Sequence, residues 1–226
     1  MAIRLFNRSP FMTQLMKVIL INGSPNKNGC TYTALDEIKE TLNDEGIEAD
    51  FFWLGKKPIG GCIGCYQCVQ KGKCVFDDKV NEFTALAQNY DGFIFGSPVY
   101  YAGMNGSLMS FMDRVFFSAS HQEPHPFRYK PAAAVVSARR AGTTSALDQI
   151  NKYFLHQQMP IVTSRYWNMV HGNTPEEVAQ DKEGLQIMRV LARNTAWMLR
   201  LREAGEKAGV QLPKQEGIRM ATNFIR

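Results

Sequence analysis

Apolar residues recur along this chain with two periods that take turns. Short β-branched or fully apolar runs at Val18–Ile21, Ile47–Leu54, Gly92–Gly96, Ala132–Ser137 and Pro160–Thr163 read as strands. Between them the spacing becomes i, i+3, i+4. It gives helical faces at Leu35, Ile38 and Leu42, at Val80, Phe83, Leu86 and Ala87, at Leu108, Phe111, Met112 and Val115, and at Ala146, Leu147, Ile150 and Phe154. Gly46 suits the C-terminal end of the first helix, and Asp77 or Asp78 the N-cap of the next. Thr174 opens Thr-Pro-Glu-Glu, a capping box with proline at the first helical position, and a long helical stretch runs on to Ala208 with an interruption near Gly184. Tyr166–Asn173 reads as irregular.

Strands alternating with helices predict an α/β fold: a three-layer sandwich whose five-stranded parallel sheet has the order 2-1-3-4-5, with right-handed crossovers and helices on both faces. Ligands in such folds bind at the C-terminal ends of the strands, beside the point where the strand order reverses. Three loops fall there: Ser24–Thr31, Ser97–Met104 and Ser137–Gly142.

The first loop joins a strand to a helix N-terminus, where free N–H groups and the helix dipole favour an anion; Ser24, Thr31 and Thr33 add hydroxyls. Gly29 is followed by Cys30 and Thr31 rather than Lys-Ser/Thr, and no GxGxxG is present, so neither the Walker nor the dinucleotide pattern applies. A loop of hydroxyls and amides suits a terminal monophosphate, and an ordinary turn rich in turn formers is the plain alternative. In the second loop Tyr100 and Tyr101 offer flat faces and Gly103 close backbone approach, which suits a planar heteroaromatic such as a flavin, or else the tyrosines cap the sheet edge. In the third loop an arginine (Arg139 or Arg140) or the backbone near Gly142 would stabilise negative charge on a reduced ring, against the alternative of a solvated pair.

The 226 residues are 45% hydrophobic, enough for one domain with a sizeable core. No apolar run approaches the roughly 20 residues that span a bilayer, and residues 1–16 lack the apolar stretch of a signal peptide; they read as an N-terminal extension. The formal charge of +5, or +3 without Arg4 and Arg8, is too mild to argue for nucleic acid. The expected compartment is the cytoplasm, with neither nucleic acid nor membrane as a partner.

Four of the five cysteines lie within one short stretch: Cys62, Cys65, Cys68 and Cys74, spaced C-x2-C-x2-C-x5-C. Repeated C-x2-C brings thiolates around one centre, which is cluster or metal geometry. A 4Fe-4S cluster, a four-cysteine zinc knot and a disulfide or free-thiol loop are the three readings. His121 and His125 flank Glu123 between prolines, where a solvated loop is favoured over a metal site; His156 and His171 are isolated. Trp167, Met169 and His171 are assigned to local packing rather than to a neighbouring subunit's flavin.

The runs GSPNKNGCTYTAL and GSPVYYAGMNGSLMSFMDR, with the cysteines between them, resemble the NADPH-dependent FMN reductase group of flavodoxin-like proteins, and the cysteine motif is similar to that of iron–sulfur flavoproteins. The resemblance covers Lys17 to Gly142 best. It implies a flavodoxin-like FMN-binding domain over residues 17–226 with a cysteine-rich insert at 55–78. Ser24, Asn26, Cys30, Thr31 and Tyr32 would surround the FMN phosphate; Pro98, Val99, Tyr100, Tyr101, Gly103 and Met104 would line the isoalloxazine; Ser137, Arg139 and Gly142 complete the expected cofactor contacts. NAD(P)H would be co-substrate, with a quinone, azo or nitro compound, flavin or iron–sulfur acceptor. Two other readings stand beside this one: an iron–sulfur flavoprotein electron carrier reduced by a protein donor such as ferredoxin, and a non-enzymatic metal-binding or interaction module on the same scaffold. The resemblance also implies a homodimer or homotetramer. It names no catalytic acid or base, because the flavin carries the chemistry.

Overall fold

The computed structural model describes residues 15–216 and 222; the expected N-terminal extension lies, apart from Leu15 and Met16, outside them. Strand β1 (Lys17–Asn22) sends Ile19 and Ile21 to one face and Val18 and Leu20 to the other, all buried. Such two-sided burial belongs to the middle of a parallel sheet. Strands β2 (Glu48–Trp53), β3 (Gly92–Tyr100), β5 (Ala132–Ala138) and β6 (Met169–His171) join it in the parallel order β2-β1-β3-β5-β6, while the two-residue β4 (Gly103–Met104) pairs antiparallel with the end of β3. Leaving out β4, the five parallel strands follow the expected order. The fold is flavodoxin-like.

The two faces differ in chemistry. One packs Phe52, Phe83, Phe93, Phe95, Phe111, Phe116, Phe127 and Phe154 beneath α3 (Lys79–Leu86), α4 (Gly106–Ala119) and α5 (Thr143–His156). The other packs aliphatic Val18, Leu20, Ile94 and Val135 beneath α1 (Cys30–Asp44) and α7 (Lys182–Lys207). Arg189 with Glu37 and Arg200 with Glu45 tie α7 to α1 at the surface. Such exposed pairs each contribute less than about 1 kcal/mol. No helix among the described residues is long and apolar enough to cross a membrane.

Three local expectations are corrected. The fifth parallel strand is Met169–His171 rather than Pro160–Thr163, where Ile161 makes a single bridge to Ala132. Between the two pieces the chain leaves the sheet edge, and the Asn168 side chain donates to the Ala134 carbonyl (3.0 Å) in place of a ladder N–H. β3 runs on past Gly96 to Tyr100, because it folds back on β4 through Tyr101 and Ala102. The helical break falls before Gly184, between α6 (Pro175–Val178) and α7: Asp181 caps α7, and Gly184 supplies the N–H it accepts (2.9 Å). Of the two candidate caps for α3, Asp78 is the one used.

Candidate functional site

Asn22 closes β1 and shapes the first loop. Its side-chain oxygen accepts from the Ser24 N–H (3.0 Å), its amide donates to the Lys27 carbonyl (3.0 Å), and Ser24 Oγ accepts from the Asn26 N–H (3.1 Å). Gly29 is the N-cap of α1, and no side chain caps this helix. The first N–H of the turn to find a backbone partner is that of Thr33, on the Gly29 carbonyl. Those of Cys30, Thr31 and Tyr32 are the orphan donors of the helix end. In contrast, α3, α4 and α7 are capped by Asp78, Asn105 and Asp181. The loop therefore presents donors and a helix dipole with no protein acceptor, which fits an anion such as a phosphate.

The other loops meet it. Thr31 Oγ1 and Ser137 Oγ share a hydrogen bond (2.8 Å), and the Gly23 N–H donates to the Gly96 carbonyl (2.9 Å). Gly142 is the N-cap of α5, again without a side-chain cap, and it sits against Val99 and Ala102. Tyr101 (φ +49°) and Ala102 (φ +58°) form the two-residue turn between β3 and β4. Both central positions of such a turn favour Asn or Gly, so a tyrosine and an alanine here hold strained backbone. Tyr101 is fully exposed and Tyr100 half exposed, while Gly103 and Met104 are held down by the Met104 N–H bond to Gln149 Oε1 (2.9 Å).

Not every expected contact faces the site. Met104 is buried in the core and borders a separate cavity of roughly 470 Å3 between α4 and α5. The Tyr32 ring packs on Phe51 (centroids 4.9 Å apart), so only its backbone N–H remains toward an anion, and its hydroxyl is pushed above its ordinary pKa by burial and by neighbouring Asp36. Asn26 is exposed; Arg139 and Arg140 are exposed and make no ion pair among the described residues. Burial pushes the Cys30 thiol up, and its sulfur sits 3.7 Å from the Gly172 carbonyl. That contact brings the end of β6 into the site, a neighbour hidden by the irregular reading of Tyr166–Asn173. Trp53 was missed as well: its indole N–H donates to the Ser24 carbonyl (2.8 Å), and Lys27 lies over its ring (5.9 Å). Its signal in sequence was a tryptophan ending the strand next to β1.

His125 is half-buried rather than a free side chain of a solvated loop. Its Nδ1 accepts from the Phe127 and Arg128 N–H groups (3.2 and 3.0 Å), and burial, with Arg128 and Lys130 nearby, pulls its pKa down to about 4.

The cysteine insert leaves β2, carries the short helix α2 (Gln67–Lys71), and returns at Asp78. All four of its cysteines are free thiols and line one narrow cavity with Tyr66, Phe117 and Arg114. Burial pushes the Cys68 thiol up, and the charges of Cys65, Cys74 and Cys62 push it the same way. Among the described residues no three His, Cys, Asp or Glu side chains stand close enough to hold a metal ion, so the expected site is a donor set facing one cavity rather than a formed coordination sphere. The donor chemistry still fits an iron–sulfur cluster: four thiols share one cavity, with a buried cation at one sulfur.

A doubly wound sheet with an uncapped helix end and glycine-rich loops at its switch point defines a flavodoxin-like site. The family model of NADPH-dependent FMN reductases matches residues 16–174, and the chain belongs to that family. An iron–sulfur flavoprotein of Methanocaldococcus jannaschii is 35% identical over 193 residues, covering 82% of this chain and 98% of that relative. Among solved structures, RosB with a bound 8-demethyl-8-formylriboflavin-5'-phosphate intermediate superposes with a TM-score of 0.65 at 12% identity, over 93% of each chain. An archaeal flavodoxin gives 0.55 at 14% identity, over 82% of this chain and 99% of its own. The protein is an FMN-dependent oxidoreductase.

Proposed function

We propose that this oxidoreductase holds FMN across its three loops, takes reducing equivalents from NAD(P)H, and carries an iron–sulfur cluster on Cys62, Cys65, Cys68 and Cys74. The observation that carries the reading is the uncapped N-terminus of α1, with Ser24, Thr31 and Ser137 gathered around it. When bound, FMN supplies hydride and single-electron chemistry, and a four-thiolate cluster a single-electron relay.

The chain's own residues do the rest. The N–H groups of Cys30, Thr31 and Tyr32 and the hydroxyls of Ser24 and Thr31 take the phosphate. Pro98, Val99, Tyr100 and the strained Tyr101–Ala102 turn form the ring's bed, and Gly142 lets the third loop close against it. Arg139 and the N–H groups at the uncapped start of α5 would meet negative charge on the ring's pyrimidine edge. The acceptor is a quinone, azo or nitro compound, flavin, or iron–sulfur protein. Family membership favours this flavin chemistry over a flavin-free binding module.

The name of the Methanocaldococcus jannaschii relative, iron–sulfur flavoprotein, together with the four thiols on one cavity, favours a second reading in which a protein donor such as ferredoxin replaces NAD(P)H. Anaerobic mixing of the FMN-loaded protein with NADPH, NADH or a reduced ferredoxin separates the two. Flavin bleaching by a nicotinamide within the dead time of catalysis supports the first reading; bleaching by ferredoxin alone supports the second.

A further inference from the structure

The three cysteines of C-x2-C-x2-C follow one another at short spacing on the run into α2, which carries Cys68. The fourth, Cys74, lies beyond a wider gap and needs an anchor from elsewhere in the fold. Two side chains supply it. Asn81 on α3 accepts from the Cys74 N–H and donates to the Cys74 carbonyl, both at 3.0 Å. Arg114 on α4 reaches the sulfur itself: its Nε–H donates to Cys74 Sγ at 3.2 Å. Its other arms donate to Asp78 Oδ2 (2.7 Å), Asp78 Oδ1 (2.9 Å) and the Gly60 carbonyl (3.2 Å), and the Phe76 ring covers it at 4.9 Å. The guanidinium is almost wholly buried, its side chain 1% exposed. Among the described residues, Cys74 is the one member of the four whose sulfur receives a hydrogen bond.

A buried arginine is costly unless its donors are used. Asp78 alone would satisfy two of them as a bidentate partner. The third is aimed at a sulfur, and the fourth ties down the start of the insert at Gly60. Arginine also cannot lose its proton in a protein, so the charge beside the sulfur is permanent.

We propose that Arg114 is the positioning residue of the cysteine site: it holds the Cys74 sulfur in place and sets a fixed positive charge against it. The inference rests on the reading of the four cysteines as cluster ligands. A positive charge and hydrogen bond at a ligand sulfur favour the more negative, reduced form of a cluster. Removing Arg114 therefore lowers the cluster's midpoint potential. Removing the negative charge of Asp78 raises it. Loosening of the loop alone would not produce opposite signs.

The test uses the full chain as wild type, Arg114→Met, Arg114→Lys and Asp78→Asn, the last keeping a side chain able to cap α3. Metal-free samples are alkylated with iodoacetamide at about pH 10, where ordinary thiols are ionised so that the rate reads access rather than thiolate fraction, and are mapped by mass spectrometry. Parallel samples are reconstituted anaerobically with iron and sulfide, and their cluster midpoints are read by EPR-monitored titration. Expected for Arg114→Met are several-fold faster alkylation at Cys74 with Cys62 and Cys65 unchanged, and a lower midpoint that Arg114→Lys partly restores; Asp78→Asn shifts the midpoint upward. Wild-type alkylation and midpoint in Arg114→Met overturn the proposal, as do shifts of the same sign in Arg114→Met and Asp78→Asn. Wild-type protein that takes up no iron removes the cluster reading, and Cys74 alkylation then decides alone: faster in Arg114→Met supports the anchoring, unchanged overturns it. Should Arg114→Met not fold, Arg114→Lys and Asp78→Asn carry the test, and unshifted midpoints in both overturn it.

Discussion

The joint between the second and third loops predicts a strong response to one added methyl group. Gly142 has φ +94°, and a Cβ built on it would lie 2.7 Å from Ala102 Cα and 3.0 Å from Val99 Cγ1. Two costs combine at this position. A left-handed L-residue costs about 1–2 kcal/mol, and contact with backbone that cannot rotate away costs about 1–3 kcal/mol more. Two other glycines separate these terms. Gly46, which follows α1, has φ +74° with nothing within 4 Å of the new methyl, so Gly46→Ala carries the backbone cost alone. Gly106, in the first turn of α4, is free of both, so Gly106→Ala is neutral or stabilises by up to about 1 kcal/mol. Urea unfolding of the apoproteins is expected to rank Gly142→Ala as the most damaging, at about 3 kcal/mol, with an unchanged m-value. FMN fluorescence titration is expected to weaken at least about tenfold in Gly142→Ala, equivalent to about 1.4 kcal/mol, and not in the other two. Equal destabilisation by Gly142→Ala and Gly46→Ala, with wild-type FMN affinity in both, would refute a tight joint beside the flavin.

Phe83 is fully buried, with the rings of Phe52, Phe93, Phe95, Phe111 and Phe127 all within 6.3 Å. Phe83→Ala should cost about 3–5 kcal/mol by denaturant titration, and a loss under 1 kcal/mol would contradict that packing. His125 stays neutral down to about 4, whereas the unfolded chain protonates near the ordinary value of 6.5. Stability is therefore full above 6.5 and falls as pH drops from there toward 4, because the unfolded state takes the proton first. His125→Asn keeps an acceptor for the two backbone N–H groups and should flatten that decline in unfolding curves taken between pH 7 and pH 4. Thr31→Glu places a carboxylate among the donors at the start of α1 and should weaken FMN binding at least about tenfold through repulsion of the phosphate; unchanged affinity would move the phosphate elsewhere.

Where residues act through their own period, the fold was legible in sequence. Ile19 and Ile21 against Val18 and Leu20, and Phe93 and Phe95 against Ile94, announce strands buried on both faces, and the helix faces from Leu35 to Phe154 follow the same logic, except that Leu86, expected on the buried face of α3, is exposed. Where a side chain stands in for backbone, it was not. Asn168 fills a gap in the sheet edge, which splits the fifth strand in a way that no periodicity shows. The β3–β4 turn carries Tyr101 and Ala102 in place of the Asn-Gly that would have announced it. The site divides along the same line. The glycine-rich loops and the cysteine spacing are local and visible, whereas Trp53 reaching Ser24 and Arg114 reaching Cys74 span 29 and 40 positions and depend on how the layers pack. Met104 belonged to a visible loop yet turned inward, since the hairpin that carries it alternates its faces.

The central claim is that one chain holds both FMN and a four-cysteine cluster. It is tested most directly by purifying the protein anaerobically and assaying flavin, iron and acid-labile sulfide on one sample, with FMN identified after extraction. The account predicts about one FMN and about four iron and four sulfide per chain. A sample that holds no flavin even after FMN is added would contradict it; flavin without iron or sulfide after reconstitution would leave the FMN site standing and remove the cluster.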